Sequence, residues 1–245
     1  MNSDMNALIV CGQGTYQNGR FFTEFPDRDV YIGHLLFVHQ IVEQWKYTHV
    51  VCSGSFTQNA TSSISEAKSM VAIWEEFQAA PQNAEVIEDE LALDSAENVI
   101  LGLMELRKRF STESIRRIGV SAAWQFKKPR FNRLAEALGI VDSFYFHGYV
   151  GADAADAGDK AVQGEISQLQ QMAQSQDYLL LDTLWDNKRR KRYQRDNYNS
   201  RLNSLRSTFE KTFSALDALK SDRLNDGYRS KLQAAFAEEV LNVTQ

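Results

Sequence analysis

Ala7-Leu8-Ile9-Val10-Cys11-Gly12-Gln13-Gly14 is an apolar run of five residues that stops abruptly on two glycines around a glutamine. The same punctuation recurs twice: Val50 to Cys52 ends on Ser53-Gly54-Ser55, and Ile118 to Val120 ends on Ser121-Ala122-Ala123. Parallel strands covered by helices on both faces read as short continuous apolar stretches. An open sheet of that kind takes its ligands in the crevice beyond the carboxyl ends of its strands. Three such runs ending on small hydrogen-bonding residues therefore predict an α/β fold with a polar pocket at one end of its sheet.

Outward from these runs, strand-like segments alternate with helical periodicity, as in βαβ units. An irregular stretch from Thr15 to Phe25 follows the first strand. Pro26-Asp27 then opens a helix, with Asp27 as its cap and Val30, Leu35, Val38, Ile41, Val42 and Trp45 at helical spacing. His49 to Cys52 is the second strand. Ser63 or Ser65 caps the next helix, which carries Ala67, Met70, Val71, Trp74 and Phe77. Glu85 to Ile87 is the third strand. Asp94-Ser95-Ala96-Glu97 has the spacing of a capping box, with Asp as the cap, and opens the helix through Val99, Leu103 and Leu106. Ile115 to Val120, the helix Pro129 to Leu138, and Ser143 to His147 complete the alternation.

Beyond Gly158 the strand signals stop, and Gly164 to Met172, Asp186 to Phe213 and Arg229 to Val240 read as helices. The expectation is a Rossmann-like three-layer α/β domain, residues 1–150, with a mainly parallel sheet of about five strands. A helical C-terminal region, residues 151–245, packs on it.

Composition narrows the function classes. The chain has 245 residues, 43% apolar and 24% charged, enough to bury roughly 70 to 75% of its unfolded surface. A net charge of -5 provides no global field for nucleic acid or an anionic membrane. Met1 to Asn6 carry no basic segment, and the apolar run after them is too short for a signal core or a span, so the expected location is cytoplasmic. Cys11 and Cys52 fall at inner strand ends as small buried hydrophobes, which argues against disulfide or metal roles.

Gly12-Gln13-Gly14 invites a dinucleotide reading, but the third glycine of that fingerprint is Gln17 here, in a stretch without helical pattern. The glycines still allow a backbone to approach a ligand closely, or simply make a tight turn. Ser53, Ser55 and Ser121 place hydroxyls at adjacent strand ends, and the helix starts near Ser65 and Asp94 either offer oriented N–H groups to an anion or, equally, are satisfied caps or turns. Glu66, Glu90 and Glu97 form a candidate acidic cluster for ribose hydroxyls, a divalent cation or proton transfer, while capping explains Glu97 almost as well. Asn98, one residue further on, reaches either a ligand or the loop after the second strand. Lys127, Lys128 and Arg130 either neutralise a phosphate or form a solvated basic turn.

His34, His39, His49 and His147 show no metal spacing and read as structural. A Cys52 and His147 hydrolase pair requires the two to converge. Lys188-Arg189-Arg190-Lys191-Arg192 with Arg195, Tyr193 and Tyr198 is read as a charged exposed helix rather than a nucleic-acid grip.

In combination, Ser53-Gly54-Ser55, Ser65-Glu66-Ala67, Glu90 before Asp94-Ser95-Ala96-Glu97-Asn98, and Val120-Ser121 before a basic helix start resemble the bacterial ElyC/SanA/YdcF family over residues 7–140. Gln163-Gly164-Glu165-Ile166 is similar to a Gly-Glu-Ile segment of the soluble YdcF branch. The resemblance implies a Rossmann-like domain with its site at the strand ends, and S-adenosylmethionine as a ligand. Arg28 lies where the family has an arginine, and pairs with a ligand anion or with Glu66 or Glu97. Where many members have a histidine after the fourth strand, this chain has Ala123-Trp124-Gln125-Phe126, so no base is expected there.

The ligand-binding candidates are therefore Gly12, Gln13, Gly14, Arg28, Ser53, Gly54, Ser55, Glu66, Glu90, Ser95, Glu97, Asn98, Ser121, Gln125, Lys128 and Arg130. The expected partner is a small adenosyl or nucleotide-like molecule, with no metal. Two other readings stay open. One is a hydrolase or transferase acting on a phosphate-containing substrate, with Glu90 or Glu66 as base and Arg28 and Lys128 as clamps. The other makes the helical C-terminal region an interaction surface for a partner or a second copy in a homo-oligomer.

Overall fold

The computed structural model describes residues 4–17, 19–21, 28–56, 64–149, 151, 154–175, 198–222 and 225–243. The first strand, β1 (Asp4–Cys11), leads into a small antiparallel hairpin of β2 (Tyr16–Gln17) and β3 (Arg20–Phe21). The remaining strands, β4 (His49–Ser53), β5 (Glu85–Asp89), β6 (Ser114–Ala122) and β7 (Phe144–Gly148), join β1 in one parallel sheet of order β5-β4-β1-β6-β7.

Side chains alternate across this sheet and are buried on both faces. Leu8, Val10, Val50 and Cys52 meet Leu35, Val38 and Ile41 of α1 (Arg28–Trp45) and Met70, Ile73 and Trp74 of α2 (Glu66–Glu76). On the other face, Ala7, Ile9, Cys11, Val51, Ile118 and Val120 meet Val99 and Leu103 of α3 (Ser95–Arg109) and Phe131 and Leu134 of α4 (Lys128–Leu138). The three-layer α/β architecture expected from the sequence is the one observed.

Three strands run one or two residues further than their apolar cores. Pairing continues into polar residues, as the registers Cys11 with Ser53 and Ser53 with Asp89 show. The stretch expected to be irregular after β1 contains the β2–β3 hairpin instead. Strands of two residues have no periodicity to read. Tertiary contacts hold this one: Tyr16 N donates to Ser69 Oγ at 2.8 Å, Tyr16 OH donates to Glu76 Oε2 at 2.7 Å, and the Tyr16 and Phe21 rings lie 5.0 Å apart edge to face.

Past β7 the described chain is helical: α5 (Ala154–Ser175), α6 (Tyr198–Thr208), α7 (Glu210–Ser221), α8 (Asp226–Ala235) and a π-helical turn, Phe236–Leu241. Leu205, Phe209, Phe213, Leu216, Leu232, Phe236 and Val240 belong to the same apolar core as Ile9, Leu103, Ile118 and Phe131. Tyr198 OH donates to Leu91 O at 3.1 Å, and Ser114 Oγ donates to Asn242 O at 3.0 Å. Among the described residues no helix is long and apolar enough to cross a membrane. Pro26, Asp27, Ser63 and the basic stretch Lys188 to Arg195 with Tyr193 lie outside the described residues.

Candidate functional site at the strand ends

The strand order moves outward from β1 through β4 to β5, then returns to β6 on the other side of β1. That reversal makes the carboxyl ends of β1 and β6 a topological switch point, where open α/β sheets leave a crevice. Gly12 to Gly14 leave β1 there, and Ser121 lies at the end of β6.

The floor is knitted from backbone. Gly12 N donates to Ser53 O at 2.9 Å, Gly54 N to Asp89 O at 2.9 Å, and Ser55 N to Ala92 O at 2.8 Å. The start of α2 docks on the same loop, with Glu66 N donating to Ser55 O and Ala67 N to Gly54 O. Glu66 is buried, and its side chain covers both glycines: a β-carbon on Gly54 would lie 2.8 Å from Glu66 Cβ. This close approach is why glycine is needed at Gly54.

Of the two readings open for the helix starts near Ser65 and Asp94, anion site or satisfied cap, the hydrogen bonds are those of satisfied caps. Ser65 Oγ accepts from Lys68 N at 3.1 Å. Asp94 Oδ1 accepts from Ala96 N and Glu97 N at 3.0 and 2.9 Å, while Glu97 Oε2 accepts from Leu93 N at 2.8 Å. The capping residues use the amides that a ligand would have taken. Ser95 is half-buried in the first turn of α3.

Ser53 and Asn98 face each other. Ser53 Oγ donates to Asp89 Oδ2 at 2.7 Å and lies 3.1 Å from Asn98 Oδ1, so Asn98 is a tether to the second strand of the sheet's sequence order. Asp89 is buried and also accepts from Leu91 N at 2.9 Å. Burial pushes its carboxyl up to about 6, although both hydrogen bonds pull the other way.

Across the switch point, His34 Nε2 is 2.9 Å from Ser121 Oγ, and both residues are fully buried. Burial, helped by the charge of Lys127, pushes His34 down to about 3, so its imidazole is neutral. Burial likewise pushes the Cys11 thiol up to about 11, against the pull of Lys127 and a hydrogen bond with Asn98. Arg130 Nε lies 3.0 Å from Glu165 Oε1 on α5, both largely buried, and Arg130 also reaches Gln168. Burial raises the Glu165 carboxyl, opposed by Arg130 and Lys127.

Gly12, Gln13, Gly14, Ser53, Gly54, Ser55, Glu66, Asn98, Ser121 and Arg130 are thus gathered around the ends of β1, β4 and β6. Ser55 is fully buried, and its hydroxyl has no hydrogen-bond partner among the described residues. Other candidates are not brought in. Glu90 is held by Lys68 at 3.3 Å and Arg201 at 3.5 Å beyond β5, and Glu97 is committed to Leu93, so the three glutamates form no cluster. No group of three or more His, Cys, Asp or Glu among the described residues is arranged to hold a metal. Arg28 and Lys128 are exposed, and no ion pair joins Arg28 to Glu66 or Glu97 among the described residues. Gln125 is exposed, with its backbone packed over Gly148.

Cys52 and His147 sit on β4 and β7 with two strands between them, which removes that hydrolase pair. His147 Nε2 instead pairs with Tyr47 OH at 2.8 Å. Three residues that the sequence reading passed over as site members are in place: His34, Asp89 and Glu165. No local pattern marks the first two, whereas Glu165 lies in the Gly-Glu-Ile segment.

The strand order is that of a doubly wound α/β protein. A scan against protein-family models, a search of curated proteins and a search of solved structures each return no match.

Proposed function

We propose that this chain binds a small polar ligand, adenosyl or nucleotide-like, in the crevice between the ends of β1 and β6. The observation that carries the reading is the Ser55 hydroxyl, buried just past the carboxyl end of β4 without a hydrogen-bond partner among the described residues, on the loop where Gly54 meets Glu66. A buried hydroxyl left unsatisfied costs about 1–3 kcal/mol, which a ligand hydroxyl or phosphate would recover. Resemblance to the ElyC/SanA/YdcF family supports the same reading and puts S-adenosylmethionine among the ligands. A cytoplasmic, bacterial setting belongs to this proposal.

Thermal shift followed by calorimetry on the whole chain tests it, using S-adenosylmethionine, adenosine mono-, di- and triphosphate, and sugar phosphates. At least one compound stabilises wild type saturably and binds Ser55→Ala more weakly. Folded protein that responds to none of them overturns the proposal.

A further inference from the structure

The parallel sheet has two outer strands, β5 and β7, and each turns a row of backbone N–H and C=O groups away from the sheet. Among the described residues no backbone group hydrogen-bonds to the outer side of β7. Such an edge is a template for another strand, and proteins ordinarily guard it with charge, proline or a bulge. β5 is guarded: it carries Glu85 and Glu88, and Glu85 meets Arg109 at 3.1 Å in an exposed ion pair.

β7 has none of these guards. Phe144-Tyr145-Phe146-His147-Gly148 contains no acid, lysine, arginine or proline, and its register with β6 runs unbroken from Ile118 with Phe144 to Ala122 with Gly148. Burial pushes His147 down to about 4, so it too is uncharged near neutral pH. Phe144, Tyr145, Phe146 and His147 all remain partly exposed, whereas Ile118 and Val120, one strand inward, are fully buried. Tyr145 and His147 pack against Trp45 at the end of α1, with ring centroids 5.1 and 5.0 Å apart. Phe146 lies 5.3 Å from Phe131 of α4, on the other face. Val141, just before the strand, is 56% exposed.

We infer that β7 pairs antiparallel with β7 of a second copy of this chain about a two-fold axis, joining two five-stranded sheets into one of ten strands. Charge selects this occupant. A two-fold sets a strand against itself, so ionised residues within it are brought near their own kind. β5 paired in this way would crowd its acids together, and β7 has none to crowd. Centred on Phe146, the pairing sets Tyr145 of each copy against His147 of the other and Phe146 against Phe146, aromatic pairs that stabilise a sheet. Asp142, the nearest acid in sequence, falls outside the paired stretch, and the axis sends its two copies to opposite ends.

Sedimentation equilibrium on the whole chain across about 1 to 200 µM tests the inference, the range expected for a small interface. Wild type passes from the mass of one chain to that of two. Phe144→Lys and Tyr145→Lys each weaken the association by about tenfold or more, because each carries an unpaired ammonium into the seam. Phe77→Lys, at an exposed position closing α2, leaves it unchanged. Melting curves establish that each variant is folded.

Hydrogen exchange on wild type supplies a measurement that needs no substitution. The outer amides of residues 144–148 exchange about tenfold more slowly at the high concentration than at the low, while those of 85–89 do not change. A chain that stays monomeric throughout the range overturns the inference. So does a dimer that either folded lysine variant keeps, or protection that falls on β5 or the C-terminal helices instead of β7. A monomer whose β7 amides are slowed only by an added extended peptide also overturns it, since the edge would then serve a foreign strand.

Discussion

Glu66 occupies the space that a side chain on Gly12 would need: a β-carbon there would stand 2.6 Å from Glu66 Cβ and 3.3 Å from Ser53 O. No flexible tip can swing aside, since one obstruction is the root of a helical side chain and the other is backbone. Gly12→Ala is therefore expected to destabilise the fold by about 1–3 kcal/mol in urea denaturation, the usual cost of overpacking. Gly164→Ala on α5, where a β-carbon meets nothing within 4 Å, is the control. It is expected to be neutral or to gain about 0.5–1 kcal/mol through helix propensity. Equal effects of the two substitutions would show that β1 and α2 are not in close contact at Gly12.

Asp89 predicts a pH signature. Its carboxyl rises from 3.8 to about 6 on folding because burial disfavours the charged form. A folded value above the unfolded one means that its stabilising contribution is complete below pH 4 and is lost as pH rises toward 6. The shift corresponds to about 3 kcal/mol. His34, pushed down to about 3, acts in the opposite sense over the same range, losing stability as pH falls below its ordinary 6.5. The difference between wild type and Asp89→Asn isolates the aspartate. Denaturation at pH 4, 5, 6 and 7 should show Asp89→Asn gaining on wild type as pH rises, and parallel curves would refute it.

The Arg130 and Glu165 pair fastens α5 to the sheet domain with side-chain exposures of only 14% and 6%. Removing one partner of such a pair strands the other charge, so Arg130→Met is expected to cost about 3 kcal/mol. The double variant Arg130→Met with Glu165→Met should recover most of that loss. Arg133→Met breaks the exposed i,i+3 pair with Glu136 and should cost less than about 1 kcal/mol. Hydrogen exchange across residues 162–172 reads the same effect locally: faster in Arg130→Met, restored in the double variant.

The sheet is legible in the chain because its inner strands are buried on both faces. Ala7 to Cys11 and Val50 to Cys52 contain no outward polar residue to interrupt them. The strand-end residues are legible for the complementary reason, since a serine or glycine that breaks such a run marks where the backbone leaves the sheet. The β2–β3 hairpin is too short to leave a pattern. The pairing of His34 with Ser121 joins residues 87 apart in sequence, and Arg130 reaches Gln168 38 residues away. Neither separation has a local signature. Glu90 and Arg28 illustrate the converse: each occupies a plausible place along the chain, but the fold turns Glu90 to Lys68 and Arg201 and leaves Arg28 exposed.

Phe209, Phe213, Phe236 and Val240 fill the same interior as Leu103 and Phe131. A recombinant fragment ending after α5 would therefore not be a smaller working version of the protein. It would carry a bare hydrocarbon surface into the cell and collect in inclusion bodies.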